Sequence, residues 1–338
     1  DLAQIVGGEV FGDPHHVVSG AAVIDSRTAA PGDLFVAMVG ESADGHDYVD
    51  TAREAGAVAT LAQREVPGPC VVVADPLRAV ADLARWSLAQ LRKRTDITVV
   101  ALTGSQGKTS VKDLLAHILE GDGPTVAAHG SFNNELGVPL TVLRADQTTR
   151  WLVLEMGARG LGHISYLCSI AKPDVASVLN VGSAHLGEFG SVETIARAKG
   201  EIIAALDSTG VAVLNADDHL VAEMSTLHTG RVITFGTKGD VALAQPVTLN
   251  ENGHANVVLG QDGEIWSVTV PQVGFHHGIN AAAAFAIALG CGLEPRVILA
   301  ALASAEPRSR MRMEVVRTAG GTLILNDAYN ANPESMNA

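Results

Sequence analysis

The chain has 338 residues, 47% of them hydrophobic, and carries 23 Lys+Arg against 37 Asp+Glu for a net charge of −14. That length predicts two or three folded domains, the apolar content excludes a disordered tail, and the acidic balance excludes nucleic acid and an anionic membrane surface as partners. Cys70, Cys168 and Cys291 are odd in number and far apart, which excludes a disulfide framework or zinc ribbon, and the apolar run Ala281 to Leu289 is too short to span a bilayer, so a soluble cytoplasmic protein is expected.

Residues 1–94 alternate short apolar strands (Val17 to Ile24, Leu34 to Val39, Val58 to Ala62, Val71 to Ala74) with helical patterns at Tyr48 to Ala55 and Leu77 to Leu91, a small α/β domain. Its loops hold Asp25-Ser26-Arg27-Thr28 and Asp44-Gly45-His46-Asp47. Arginine and hydroxyls beside a glycine turn suit a diphosphate or a sugar, and they equally suit an ordinary surface hairpin. The charged connector Arg92-Lys93-Arg94-Thr95-Asp96 marks a domain boundary.

The apolar strand Val99 to Leu102 then runs into Thr103-Gly104-Ser105-Gln106-Gly107-Lys108-Thr109-Ser110 and on into a helix with Val111, Leu114, Leu115, Ile118 and Leu119 inward. A buried strand, a glycine turn and a helix N-terminus make a phosphate cradle, with Lys108 for the terminal phosphates and a hydroxyl for Mg²⁺. The spacing is the short Gly-x-x-Gly-Lys-Thr form, since Leu102 stands where a full Walker A pattern has its first glycine. Further strands are predicted at Trp151 to Glu155, Val175 to Asn180, Val211 to Asn215 and Val232 to Phe235, alternating with helices, which predicts a mostly parallel sheet with ligands at the carboxyl ends of its strands. Glu155 closes one such strand and is a natural Mg²⁺ ligand. His185 follows another, and Lys199 lies on the helical stretch Thr194 to Leu206; on their own these two read more readily as a loop histidine and a solvated lysine than as site residues, and only the constellation changes that. Residues 241–270 alternate around an Asp262-Gly263 turn, an antiparallel extension. The alanine-rich helix from about Gly278 to Leu289 is buried, and Asn280 in its first turn is either an adenine contact or simply a helix-start residue. From Arg308 the composition shifts, with strands at Glu314 to Arg317 and Thr322 to Asn326 before Asp327-Ala328-Tyr329-Asn330-Ala331-Asn332-Pro333, so a third α/β unit begins here.

Read together, Gly104 to Thr109, Asn133-Asn134 with Gly137-Val138-Pro139, Glu155-Met156-Gly157-Ala158, Ala184-His185, Ala198-Lys199-Gly200-Glu201, Asn215-Ala216-Asp217-Asp218, Gly274-x-His276-x-x-x-Asn280 and Asp327 to Pro333 resemble, in this order and over essentially the whole chain, the Mur ligases. The resemblance implies a UDP-sugar-peptide domain (1–94), a central ATP-binding domain (95–306) and the start of a Rossmann-like ligase domain (307–338). Asn133-Asn134 and the closing Tyr-Asn-Ala-Asn-Pro favour the branch that joins D-alanyl-D-alanine to UDP-N-acetylmuramoyl-tripeptide through an acyl phosphate, for peptidoglycan. Neighbouring alternatives are an amino-acid-adding or folylpolyglutamate-type ligase, and a non-catalytic nucleotide module. Carried over by resemblance, Thr109 and Glu155 hold one Mg²⁺ while His185 and Glu155 hold a second, Lys199 is carbamylated, and Gly104 to Ser110, Asn280, Arg312 and Asp327 bind ATP. Ser26, Arg27, His46, Asn133, Asn134 and Arg159 meet the UDP-sugar-peptide substrate, and a monomer is expected.

Overall fold

In the computed structural model, which describes residues 1–182 and 186–330, the chain forms two units: Asp1–Asp96 with Glu135–Thr148, and Ile97–Asn134 with the chain from Thr149 onward. The first unit opens with α1 (Leu2–Val6), β1 (Glu9–Phe11), β2 (Ala22–Val23) and β3 (Leu34–Val36), followed by α2 (Val49–Ala55), β4 (Ala59–Ala62), β5 (Cys70–Val72) and α3 (Pro76–Arg92). Its sheet runs β1-β5-β4-β3-β2, parallel except where β1 meets β5. Leu34, Val36, Leu61 and Val80 are among the side chains that fill one face. α3 starts sharply because Asp75 accepts from the Leu77 and Arg78 amides and Pro76 occupies the first turn. The strand expected over Val17 to Ile24 shortens to two residues, because the Ser19 and Gly20 amides both donate to the Gly32 carbonyl and the Ala21 amide to Asp33 Oδ1, which ties this backbone to a turn.

The second unit begins with β6 (Thr98–Thr103), the glycine turn, α4 (Lys108–Glu120) and β7 (Thr125–Ala127). The chain then supplies α5 (Gly137–Val142) to the first unit, where Leu140 joins the core that holds Leu34. The continuous 95–306 span expected for a central domain is thus interrupted at Glu135–Thr148, where every residue of α5 is buried. Next come β8 (Trp151–Glu155), α6 (His163–Ile170), β9 (Val175–Val178), α7 (Leu186–Phe189), α8 (Val192–Ala204), β10 (Val211–Asn215), α9 (His219–Ala222) and β11 (Arg231–Gly236). β12 (Val241–Leu243), β13 (Thr248–Leu249), β14 (His254–Gln261) and β15 (Glu264–Val273) follow, then α10 (His277–Gly290), α11 (Pro295–Ala303) and a separate hairpin of β16 (Glu314–Arg317) and β17 (Leu323–Asn326).

The ten-stranded sheet runs β13-β14-β12-β11-β10-β9-β6-β8-β7, with β15 on β14. It is parallel from β7 to β12 and antiparallel beyond, as the alternation predicts, and Asp262 (φ 51) and Gly263 (φ 85) make the tight β14–β15 turn. β6 lies in the middle of the parallel part, with Val99 to Leu102 wholly buried, as a strand covered on both faces must be. α10 reads Ala281 to Ala284 without a bulky side chain and packs against α4, close enough that a Cβ on Gly107 would lie 2.7 Å from Asn280 Oδ1. Gly107 also sits at φ 76, a left-handed conformation that favours glycine, and a side chain there would have to displace the Asn280 amide. Among the described residues no helix is long and apolar enough to cross a membrane.

Candidate active site

The carboxyl ends of β6, β8 and β9, neighbours in the sheet, bring the phosphate turn, Glu155 and Asn180 together. Asn180 Oδ1 accepts from the Ser105 and Gln106 amides, both at 2.9 Å, and its Nδ2 donates to the Gln106 carbonyl at 3.2 Å. Ser105 Oγ accepts from the Gly182 amide at 2.8 Å. Further along, Asp218 Oδ2 accepts from the Val181 amide and Asn215 Nδ2 donates to the Leu179 carbonyl, so the Asn215 to Asp218 motif props up the strand end that shapes the turn. Lys108 folds back so that Nζ donates to the Gly104 carbonyl at 2.8 Å. Its ammonium is held below the usual lysine range by desolvation, opposed by Glu155 and reinforced by Arg312.

Behind the turn, Glu155 is 1% exposed and both of its oxygens are matched: Thr109 Oγ1 donates to Oε2 at 2.9 Å and Asn133 Nδ2 to Oε1 at 2.7 Å. A buried carboxylate beside a hydroxyl at the base of a phosphate cradle is a hard-oxygen donor set, the kind that suits Mg²⁺ completed by water and phosphate oxygens. Among the described residues no three His, Cys, Asp or Glu side chains come together as a ready-made cage. Asn133, expected on substrate, donates to Glu155 through Nδ2. His185 lies outside the described residues. Lys199 is 7% exposed rather than solvated, and burial together with the charge of Lys108 pushes its ammonium down to about 7. Glu201, on the same helix, accepts from the Gly162 and Ser165 amides at 2.6 and 2.9 Å and so caps α6. Arg159 is exposed, and its amide donates to His163 Nδ1.

Six of the residues expected at ATP (Gln106, Gly107, Ser110, Asn280, Arg312 and Asp327) line one cavity, closed by Asn180, His276 and His277. The Arg312 guanidinium stacks over the Tyr329 ring at 4.2 Å, while Asp327 Oδ1 accepts from the Met313 amide. His277 is 5% exposed, and its Nδ1 has no partner among the described residues. Burial, aided by His276, pushes its imidazolium down to about 3 from an ordinary 6.5. Between pH 6.5 and 3 the unfolded chain therefore takes up a proton here that the folded chain refuses, and stability falls as pH falls through that window. His277→Phe is expected to flatten the acid limb of urea-unfolding stability by up to about 1 kcal/mol per pH unit.

In the first unit, Arg27 spends its guanidinium on Asp25, at 2.9 and 2.7 Å, and Ser26 is buried in the turn they frame. The pair holds the Asp25 carboxyl down to about 2. His46, expected at the substrate, has its ring bonded within this unit. Its side chain is buried, Nδ1 donates to Asp44 Oδ1 and Nε2 accepts from the Gln63 amide at 3.0 Å, which leaves no ring nitrogen for a ligand. Its work is to order the 44–48 turn. His46→Ala should cost about 1–3 kcal/mol in chemical denaturation by orphaning the Gln63 amide and removing one of the donors to Asp44, which keeps the residue-46 amide and Arg64.

Comparison with known proteins bears on this arrangement directly. The Mur ligase middle-domain model matches residues 102–288 and the Mur ligase family catalytic-domain model matches 21–84. The chain belongs to the Mur ligase family. Among its relatives is the UDP-N-acetylmuramoyl-tripeptide–D-alanyl-D-alanine ligase of Mycobacterium tuberculosis, 44% identical with all of this chain and 71% of the relative aligned. The Escherichia coli ligase of the same name is 36% identical, over 100% and 74%. Of solved structures, MurF from Acinetobacter baumannii superposes with a TM-score of 0.87 at 34% identity, covering 100% of this chain and 74% of that one. MurF from Thermotoga maritima, in complex with ADP, gives 0.79 at 34%, covering 95% and 73%. As a Mur ligase, the chain has a site some of whose members reach it through the fold. Asn180 lies just past the end of β9, and that position is the signal in the sequence that marks it, whereas Asp218 is marked by the Asn215-Ala216-Asp217-Asp218 motif.

Proposed function

We propose that this Mur ligase joins D-alanyl-D-alanine to UDP-N-acetylmuramoyl-tripeptide in peptidoglycan precursor synthesis, converting ATP to ADP and phosphate. The observation that carries the reading is the identity of 44% along the whole chain with a relative of that name, together with the buried Thr109–Glu155–Asn133 cluster under the phosphate turn. The reaction activates the tripeptide's terminal carboxylate as an acyl phosphate, which the amine of D-alanyl-D-alanine attacks with loss of phosphate. In-line phosphoryl transfer asks the protein for positioning and charge neutralisation. The amides at the start of α4 and Lys108 receive the phosphates, the Ser105 and Gln106 amides being held by Asn180, and Asn280, Arg312 and Asp327 line the cavity for the nucleoside. Thr109 and Glu155 would hold Mg²⁺, with Glu155 and His185 at a second site; bound Mg²⁺ supplies charge neutralisation on the phosphates. Lys199 would carry a carbamate, which its burial and low affinity for a proton favour, because CO₂ adds only to the free amine. Dependence on ATP and a nucleotide-linked substrate puts the reaction in the cytoplasm.

The deciding experiment is phosphate release by the purified protein with ATP and Mg²⁺, offering D-alanyl-D-alanine, diaminopimelate, lysine or glutamate as the amine. Release that needs both UDP-N-acetylmuramoyl-tripeptide and D-alanyl-D-alanine is expected. Stimulation by a single amino acid instead would replace the named reaction with that of another amide ligase.

A further inference from the structure

Lys112 has no part in the chemistry above, yet it is only 2% exposed on a helix that begins in the phosphate turn. An ammonium has three N–H donors, and here three acceptors meet it: the Ala128 carbonyl at 2.7 Å, the Gly130 carbonyl at 2.9 Å and Asp113 Oδ1 at 2.8 Å. A lysine so placed is not a solvated helix residue. The two carbonyls belong to the 128–133 segment, which is tied at one end to β8, by the Ala128 amide on the Val153 carbonyl, and at the other to the turn just past β8, by the Gly157 amide on the Asn133 carbonyl. Between those ties the chain turns through Gly130 at φ 50 and delivers the Asn133 amide to Glu155 Oε1. Asp113 in turn accepts from Ser309 Oγ at 2.6 Å, in the run that leads to Arg312.

Both oxygens of Glu155 are therefore governed from α4. Thr109 holds Oε2 directly, and the position of the donor on Oε1 depends on a segment that Lys112 grips. We propose that Lys112 is a positioning residue of the cation site: it pins the 128–130 turn so that Asn133 fixes the orientation of the Glu155 carboxylate. The inference rests on the reading of Thr109 and Glu155 as the residues that hold the cation.

The test measures Mn²⁺ binding to the whole protein with saturating ADP, by the electron paramagnetic resonance signal of free Mn²⁺, so it does not depend on turnover. Lys112→Met is expected to weaken Mn²⁺ about 10- to 100-fold, as loss of a supporting contact does at metal sites. Asn133→Ala is expected to do the same, and the double variant is expected to be no weaker than the worse single one, because the two lie on one path. Where Lys112→Met does not fold, Lys112→Gln, which keeps amide donors for the two carbonyls but no charge for Asp113, takes its place with smaller losses on the same pattern. Unchanged Mn²⁺ affinity in the folded Lys112 variant, alongside weakening by Glu155→Gln, overturns the proposal alone. So does a double variant in which the two losses multiply. Unchanged affinity in Glu155→Gln overturns the cation reading and the proposal with it.

Discussion

Lys108→Met is expected to fold normally and to lower ATP-dependent phosphate release at least about a thousandfold, the scale at which removal of a charge aimed at a transferring phosphoryl group is felt. Methionine keeps the length of the stem, so packing around the turn is preserved. What goes is an ammonium that bonds the Gly104 carbonyl and faces the charge of Glu155. Desolvation, which holds that ammonium below the usual lysine range, also makes its field strong, because little water is there to screen it. Arginine is not expected to restore activity, since a planar fork cannot reproduce a point donor on a main-chain oxygen in a tight turn. Circular dichroism and turnover on the same preparation check the result; a folded Lys108→Met variant that retains turnover would remove Lys108 from the chemistry.

The second large effect concerns Lys199. Lys199→Gln is expected to lower turnover about a hundredfold or more, and acetate is expected to restore part of it by returning an anion to the buried position. The wild-type protein, stripped of CO₂, should lose activity and regain it with bicarbonate. The direction with pH follows from an ammonium pushed down to about 7. At pH 6 only about a tenth of the side chains are free amines and at pH 8 about nine-tenths are, whereas a lysine of ordinary affinity would be almost wholly charged at both. At fixed dissolved CO₂, carbamylation and turnover should therefore rise from pH 6 to pH 8. Turnover indifferent to CO₂, with no carbamate signal from isotopically labelled CO₂, would strike the carbamate from the reading.

How much of this was legible in the sequence depends on how far apart the cooperating residues lie along the chain. The phosphate turn was readable because Gly104 to Ser110 are contiguous, and Glu155 because it ends an apolar strand. The parallel order was readable as a class, but the adjacency of β8, β6 and β9 was not. That adjacency is what turns Asn180 into the cap on the Ser105 and Gln106 amides, 75 and 74 positions away. Lys112 and Asp113 look like ordinary polar helix residues until the 128–130 carbonyls and Ser309 arrive. His46 errs in the other direction, because a histidine in a loop beside glycine gives no sign that both ring nitrogens will be consumed by Asp44 and Gln63.

The cap that Glu201 places on α6 also limits how this protein can hold an acidic substrate. Exposed amides at the start of a helix are the usual unspecific harbour for phosphate and carboxylate, and here the Gly162 and Ser165 amides are already engaged by a resident carboxylate. The protein carries, in effect, its own competitive occupant. Sulfate or inorganic phosphate should find no foothold at α6 in the wild type, and Glu201→Ala would open one there.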